Sequence, residues 1–261
     1  MSHFATAGHT YHTTPVVSVN TDTDINLAYE RILDLDISSL AVLDQDGKLV
    51  GVLSRSDLLK AGTRQAGSAH RAPVLTLPNT AAGQMMTSPP LTISVDEPLK
   101  KAAQLMVQKR IHRVYTVDGE GRPQGVISTR DLMLAVRDQR LNRTLEEYMS
   151  SPVFTIRAEE PISEGVHRLA KAHVSGLVVL DHDWPVGVFT QRDALLFQNL
   201  ARTTPVEEAM DPSLLILPPT CKLYRAAAQA AAMKVRRILV SEHTHPVGIL
   251  TGLDFAKAVV D

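Results

Sequence analysis

The chain has 261 residues, 44% of them hydrophobic, enough to bury a core in one large domain or two of ordinary size, and this excludes disorder as the whole answer. Its 27 Lys and Arg against 28 Asp and Glu leave a formal net charge of −1, so no global field draws it to DNA, RNA or anionic lipid, and any polyanion it binds must be held locally. The single cysteine, Cys221, excludes an internal disulfide, no apolar run approaches the roughly 20 residues that span a bilayer, and "MSHFATAGHTYHTT" lacks a secretory pattern; these features predict a cytoplasmic protein with no nucleic-acid or membrane partner.

Residues 1–11 read as a flexible arm. The first regular unit, 12–62, has an extended stretch "PVVSV" from Pro15, an amphipathic helix, a β-rich "ISSLAVLD", a turn at Asp46-Gly47, the strand "GVLSRSD" from Gly51 and a closing helix. Residues 63–83, rich in small and polar side chains, read as a linker. The unit 84–137 repeats the order: "PLTISV" from Pro90, a helix with Leu99, Ala102, Ala103 and Met106 at i, i+3, i+4 and i+7, "IHRVYTVD", a turn at Gly119 to Gly121, and "GVISTRD". Unit 144–198 carries "PVFTI", "VSGLVVLD" and "GVFTQRD"; unit 205–260 carries "PSLLIL", a helix with Leu223, Ala226, Ala227 and Ala230, "VRRILVSE" and "GILTGLD".

The motif G-h-h-[S/T]-x-x-D (h, hydrophobic) thus ends every unit, and its aspartates Asp57, Asp131, Asp193 and Asp254 are 74, 62 and 61 residues apart. A period of that size marks repeated structural units, here four of β-α-β-β-α order and of mixed α/β class. Within the motif, Ser54, Ser128, Thr190 and Thr251 with their aspartates can cap the closing helix, because side-chain oxygens satisfy its orphan N–H groups. The same groups can serve a ligand: a carboxylate is a two-oxygen acceptor suited to a diol, and a helix N-terminus favours a phosphate.

This unit, ending in G-h-h-[S/T]-x-x-D, resembles the cystathionine β-synthase (CBS) domain, and four copies cover nearly all of residues 12–260. The resemblance implies that repeats pair into two Bateman modules whose clefts bind adenine nucleotides such as AMP, ADP or ATP, or S-adenosylmethionine. It implies that the motif hydroxyl faces the ribose-phosphate region and that the aspartate accepts from the ribose hydroxyls.

The repeats alternate. The first and third have Ile37 to Ser39 and Val174 to Gly176 before the hairpin, where the second and fourth have Lys109 to Arg113 and Lys234 to Arg237. A duplicated pair explains this most simply, with one module from repeats 1 and 2 and another from repeats 3 and 4. Members of the family that bind phosphorylated adenosine often carry a His-Arg pair here; His112 and Arg113 match it, and Arg236 and Arg237 match with arginine in place of histidine. Solvated charge at a helix end is the bland alternative. Arg55, Arg130 and Arg192, inside the motifs, are placed to touch phosphates, whereas the fourth motif has Gly252 and Leu253 instead. The expectation is that Asp57, completed by His112 and Arg113, and Asp193 centre the phosphate-binding clefts, and that those at Asp131 and Asp254 stay empty or take a less charged ligand.

Other constellations are poorer. His9 and His12 lie in the arm and His243 and His245 in a turn, without cysteine or paired carboxylates at ligand spacing, so no metal site is predicted. A nucleophile triad built on the motif hydroxyls would demand four active sites, and neither G-x-G-x-x-G nor a P-loop occurs. Trp184, before Pro185 in the third hairpin, is either a partner contact or local packing. The four units leave no room for a catalytic domain, so the chain reads as a non-enzymatic, free-standing sensor without catalytic cofactor, taking an adenosine ligand, forming a homodimer and signalling to a regulated protein. The alternatives are a dimerisation scaffold in which the motifs are helix caps only, or an S-adenosylmethionine sensor.

Overall fold

The computed structural model of the chain describes all residues except 1–3, 5, 66, 68, 243 and 244. Repeat 1 consists of β1 (Ser18–Asn20), α1 (Ile25–Asp34), β2 (Ser39–Leu43), β3 (Leu49–Ser54) and α2 (Arg55–Gln65), and is followed by the short α3 (Ala82–Met85). Repeat 2 has β4 (Thr92–Ser94), α4 (Leu99–Lys109), β5 (Arg113–Val117), β6 (Pro123–Ser128) and α5 (Thr129–Asp138). Repeat 3 has β7 (Thr155–Arg157), α6 (Ile162–Lys171), β8 (Gly176–Asp181), β9 (Trp184–Thr190) and α7 (Gln191–Leu196). Repeat 4 has β10 (Ile216–Leu217), α8 (Leu223–Met233), β11 (Ile238–Glu242), β12 (His245–Leu250) and α9 (Gly252–Val260).

Each repeat builds a three-stranded sheet in which the first strand runs parallel to the second through a helical crossover and the second pairs antiparallel with the third. All four hairpins shift register at the same place, between Val42 and Leu43, Thr116 and Val117, Val179 and Leu180, and Val240 and Ser241. Asp44 and Asp118 hold the first two turns by accepting backbone N–H bonds from Asp46 and Lys48 and from Glu120 and Arg122, and Gly47 and Gly121 supply the positive φ. The helical spacing fulfils its promise: Leu99, Ala102, Ala103 and Met106 of α4 and Leu223, Ala226, Ala227 and Ala230 of α8 are the buried faces of those helices. Each first helix ends on a left-handed residue, Asp36, Arg110, His173 or Lys234.

The chain divides into two compact units. Unit 1 contains repeats 2 and 4 with residues 1–16, and unit 2 contains repeats 1 and 3. In unit 1, α5 packs on α8 and α9 and α4 packs on α9; in unit 2, α2 packs on α7. Each unit has its own apolar core. Neighbouring repeats, 1 with 2 and 3 with 4, exchange their leading segments. Thr13, ahead of repeat 1, pairs with Val126 of repeat 2, and Thr87, ahead of repeat 2, pairs with Val52 of repeat 1. Ser150 pairs with Ile249 and Asp211 with Val188 in the same reciprocal way for repeats 3 and 4.

Two expectations are corrected. The arm expected at 1–11 is packed where it is described: Phe4 is buried in the unit 1 core, its N–H donates to Gln139 Oε1 at 3.1 Å, and the Gly8 N–H donates to the Glu97 carbonyl at 2.8 Å. An apolar anchor and a glycine that lets the backbone come close to Ile127 make the segment part of the fold. The linker expected at 63–83 likewise buries Val74 and Leu75, whose N–H groups donate to the carbonyls of Leu200 and Gln198. His243 lies outside the described residues.

The motif glycine is what admits the exchanged segment. Met86 lies against Gly51, His12 against Gly125, Met210 against Gly187 and Met149 against Gly248, each where a Cβ would stand. At Gly187 that Cβ would be 2.7 Å from the Asp211 carbonyl oxygen, which belongs to the backbone and cannot rotate aside. Gly187→Ala should therefore destabilise the chain by about 1–3 kcal/mol in chemical denaturation. Gly119→Ala, with nothing within 4 Å of the new methyl, should be close to neutral.

Candidate functional site

The end of the third strand and the start of the closing helix form the same polar corner four times. One carboxylate oxygen, Oδ2, accepts both the backbone N–H and the hydroxyl of the motif Ser or Thr. The distances are 2.9 and 2.5 Å from Ser54 to Asp57, 2.7 and 2.6 Å from Ser128 to Asp131, 2.8 and 2.7 Å from Thr190 to Asp193, and 2.8 and 2.8 Å from Thr251 to Asp254. This is a capping box with aspartate in place of the usual glutamate. It fixes the side chains and leaves Oδ1 of each carboxylate as the variable atom.

Oδ1 differs between the repeats. At Asp254 it accepts Ser150 Oγ and Lys257 Nζ, both at 2.8 Å, and the residue is 1% exposed. At Asp57 it accepts Thr87 Oγ1 at a longer 3.2 Å, and this aspartate alone of the four is half-buried. At Asp193 the exchanged segment supplies Asp211 instead of a hydroxyl. Burial, and in last place this second acid, hold the Asp193 pKa above the ordinary carboxylate value against the pull of its Thr190 hydrogen bonds and Arg192. Burial raises Asp131 in the same way. Among the described residues no hydrogen bond reaches Oδ1 of Asp131 or Asp193.

The motif arginines of unit 2 are tied to an acid that the sequence reading did not select. Asp36 Oδ1 accepts Arg55 Nη2 at 3.0 Å and Arg192 Nε at 2.9 Å, and Ser56 Oγ donates to Gln191 Oε1 at 3.0 Å beside them. Arg55 is 6% exposed. Unit 1 has the opposite character. Arg113 stands directly across the hairpin from Ser128, and the Thr129 N–H donates to the His112 carbonyl at 3.0 Å. Arg236 and Arg237, with Arg113, surround the His112 imidazole. The protein atoms crowding this ring, and then the charges of Arg237, Arg113 and Arg236, push its pKa down to about 4, with Asp254 acting weakly the other way. His112 still keeps a solvent-exposed surface, so water screens part of this repulsion.

Of the sequence-selected residues, unit 1 brings together His112, Arg113, Ser128, Arg130, Asp131, Arg236, Arg237, Thr251 and Asp254, and unit 2 brings together Ser54, Arg55, Asp57, Thr190, Arg192 and Asp193. The expected completion of Asp57 by His112 and Arg113 joins residues of different units and remains a proposal. Sequence reasoning missed Asp36, Thr87, Ser150 and Lys257. A usable signal was present: "HTTP", "MTSP", "MSSP" and "MDP" precede the four repeats, each placing His or Met on a motif glycine, and in the last three the next residue, Thr87, Ser150 or Asp211, acts on a motif aspartate. Of the histidines weighed for a metal, His12 contacts Thr116 Oγ1 at 3.2 Å and His9 the Val95 carbonyl at 3.3 Å. Among the described residues, no helix is long and apolar enough to cross a membrane. Trp184, the first residue of β9, is 63% exposed, and Cys221 is half-buried.

Comparison with known proteins now fixes the class. The family model described as CBS domain matches residues 8–64, 82–138, 145–199 and 206–261. The chain belongs to the CBS domain family and consists of four tandem CBS domains. Over 97% of its length it superposes on a Methanocaldococcus jannaschii protein described as a candidate homologue of g-AMPK, with a TM-score of 0.83, 18% identity and 99% of that chain covered. It superposes with a TM-score of 0.70 on an uncharacterised conserved protein from Pyrococcus horikoshii, at 20% identity, over 97% of this chain and 100% of that one. In sequence it is 28% identical to an uncharacterised 33.4 kDa protein from Thermofilum pendens, over 74% of this chain and 64% of the relative. It is 27% identical to L-aspartate semialdehyde sulfurtransferase from Methanocaldococcus jannaschii, over 54% of this chain but 28% of that enzyme. The chain thus spans between about a quarter and two thirds of these two curated relatives.

The electrostatics of His112 give a titration with a definite sign. Followed by NMR in the ligand-free chain, its midpoint should lie well below 6.5, and Arg237→Gln should move it upward by removing the first of the cations that oppose protonation. A midpoint at or above 6.5 in the unmodified chain would show that the three guanidinium groups do not act on this ring.

Proposed function

We propose that the chain is a non-enzymatic regulatory protein that binds an adenosine ligand of the AMP, ADP or ATP class at its closing motifs. Its occupied state would be read by a regulated partner, and the chain would act in the cytoplasm as a homodimer. Among solved proteins, a CBS domain protein from Pyrobaculum aerophilum is described as complexed with AMP, and a CBS domain pair as complexed with 5-methylthioadenosine and S-adenosyl-L-methionine. The observation that carries the reading for this chain is Asp193. Its Oδ2 is consumed by the cap, burial raises its pKa, and its Oδ1 receives no hydrogen bond among the described residues but has Arg192 Nη1 at 3.9 Å, which distinguishes it from the otherwise similar Asp131. A buried carboxylate in that state gains from neutral donors, and a ribose diol supplies two of them. Asp57 is the second site, with its Oδ1 held by one long hydroxyl bond that a ligand can replace. Asp254, with both oxygens engaged, is the least suited, which agrees with the absence of an arginine in its motif.

The mechanism is linkage: a ligand shifts the population between two arrangements by no more than its differential affinity for them. The scaffold reading keeps one specific support, since all four boxes cap their helices without a ligand.

Calorimetry against AMP, ADP, ATP and S-adenosylmethionine separates the two. The nucleotide reading expects micromolar or tighter binding of at least one, weakened about tenfold or more by Asp193→Asn, which keeps a capping oxygen but replaces the second acceptor. Glu147→Gln, at an exposed side chain that accepts from the Thr144 N–H, should leave binding within twofold. If none of the four ligands binds below millimolar concentration, the scaffold reading stands.

A further inference from the structure

Three of the four motif glycines have a thioether seated on them. The nearest atom to a Cβ placed on Gly51 is the sulfur of Met86; a Cβ on Gly248 would stand 2.5 Å from Met149 Sδ, and one on Gly187 would stand 2.7 Å from Met210 Sδ. Gly125 of repeat 2 instead receives the imidazole of His12, whose Nδ1 lies 3.2 Å from Thr116 Oγ1. Each sulfur fills the volume that the glycine leaves open, so an atom added to it finds no room on that side.

Each sulfur is also one residue away from a group that acts on a motif aspartate. Thr87, Ser150 and Asp211 exchange two backbone hydrogen bonds each with Val52, Ile249 and Val188, at 2.8 to 3.0 Å. The hydroxyls of Thr87 and Ser150 donate to Oδ1 of Asp57 and Asp254, and the charge of Asp211 acts on Asp193. A methionine that leaves its glycine pulls on these contacts. Met86, Met149 and Met210 are half-buried, within reach of a small solute, whereas Met106 and Met133 lie in the unit 1 core at 0% and 5% exposure. Met233, the last residue of α8, is 48% exposed.

We propose that Met86, Met149 and Met210 are sites of reversible oxidation by a peroxide, and that sulfoxide formation unseats the leading segments from the closing motifs of repeats 1, 4 and 3 respectively. The sulfur lone pair attacks one oxygen of hydrogen peroxide, and an S–O bond forms as the O–O bond breaks. The second oxygen leaves as hydroxide, takes the proton from the first and departs as water; sulfur loses two electrons and the peroxide gains them. The product is polar, and its new oxygen needs a hydrogen-bond donor that an apolar seat on a glycine does not supply, so the side chain is stabilised by moving into water. Repeat 2, with an imidazole in the seat, is exempt. A thiol-dependent sulfoxide reductase restores the thioether and with it the docked segment. No adenosine ligand takes part in this chemistry.

The test treats the full chain with hydrogen peroxide, follows each methionine by peptide mass spectrometry and measures the thermal unfolding midpoint of the same samples. Met233 should oxidise first and without effect on the midpoint. Met86, Met149 and Met210 should follow, with the midpoint falling by roughly 2–4 °C or more, while Met106 and Met133 are spared as long as the chain stays folded. Methionine sulfoxide reductases with dithiothreitol should return the midpoint. A chain carrying Met86→Leu, Met149→Leu and Met210→Leu, which nearly conserve volume, should lose the peroxide response although Met1, Met85 and Met233 remain oxidisable. An unchanged midpoint once the three are oxidised, an equal fall in the triple variant, or resistance of the three for as long as Met106 resists would overturn the proposal. Should the triple variant fail to fold, the unmodified chain still decides: the midpoint must fall in step with sulfoxide at 86, 149 and 210, and a fall that tracks Met85 or Met233 counts against it. Peroxide resistance removes this proposal and leaves the nucleotide reading untouched, and a failure of adenosine binding does the reverse.

Discussion

The capping box is the interaction on which the rest of this molecule depends. In every repeat a hairpin must turn directly into a helix, and the first helical N–H groups would be left without partners at that corner. The Ser or Thr hydroxyl and the Asp carboxylate satisfy them within four residues, and the cost is that Oδ2 of each aspartate is fixed. The atom left to differ between the four corners is therefore Oδ1, and there the exchanged leading segment intervenes. A hydroxyl from that segment occupies Oδ1 at Asp254 and, more loosely, at Asp57, while an acid stands nearby at Asp193. Four copies of one motif become four different corners without any change in the motif itself.

The second constraint is electrostatic. The alternation between odd and even repeats coincides with the division into compact units, so that unlike sequences are not mixed within a unit. Asp36 ties two arginines together in unit 2, and the corresponding places in unit 1 are basic. The near-zero net charge of the whole chain conceals this segregation, and for that reason composition by itself speaks only about global fields.

Much of the fold was legible in the sequence because its signals are local. The 3.6-residue spacing of Leu99, Ala102, Ala103 and Met106, the Asp-Gly turn at 46–47 and the motif capping residues each act over a few residues, and the structure realises all of them. What escaped is long-range. The arm and the linker were read as loose because polar, small-residue segments look so, yet Phe4, Val74 and Leu75 give them enough apolar surface to dock. The packing of repeat 2 on repeat 4 and of repeat 1 on repeat 3 depends on contacts more than 80 residues apart, for which periodicity carries no sign. The candidate residues were found through the repeated motif. The partners that distinguish one copy from another, Asp36, Thr87, Ser150 and Asp211, come from outside it. The charge alternation was visible in the sequence, but the convergence of His112 with Arg236 and Arg237 was not, since about 125 residues separate them.

The central claim is that the carboxylate caps the helix with one oxygen and reads a ligand with the other. Its most direct test is a crystal structure of the chain grown with AMP. The account predicts a ribose at Asp193, with hydroxyls within hydrogen-bonding distance of Oδ1 and with both Thr190 bonds to Oδ2 retained. A nucleotide seated only at Asp254, or a ribose that displaces Thr190 from Oδ2 of Asp193, would contradict it.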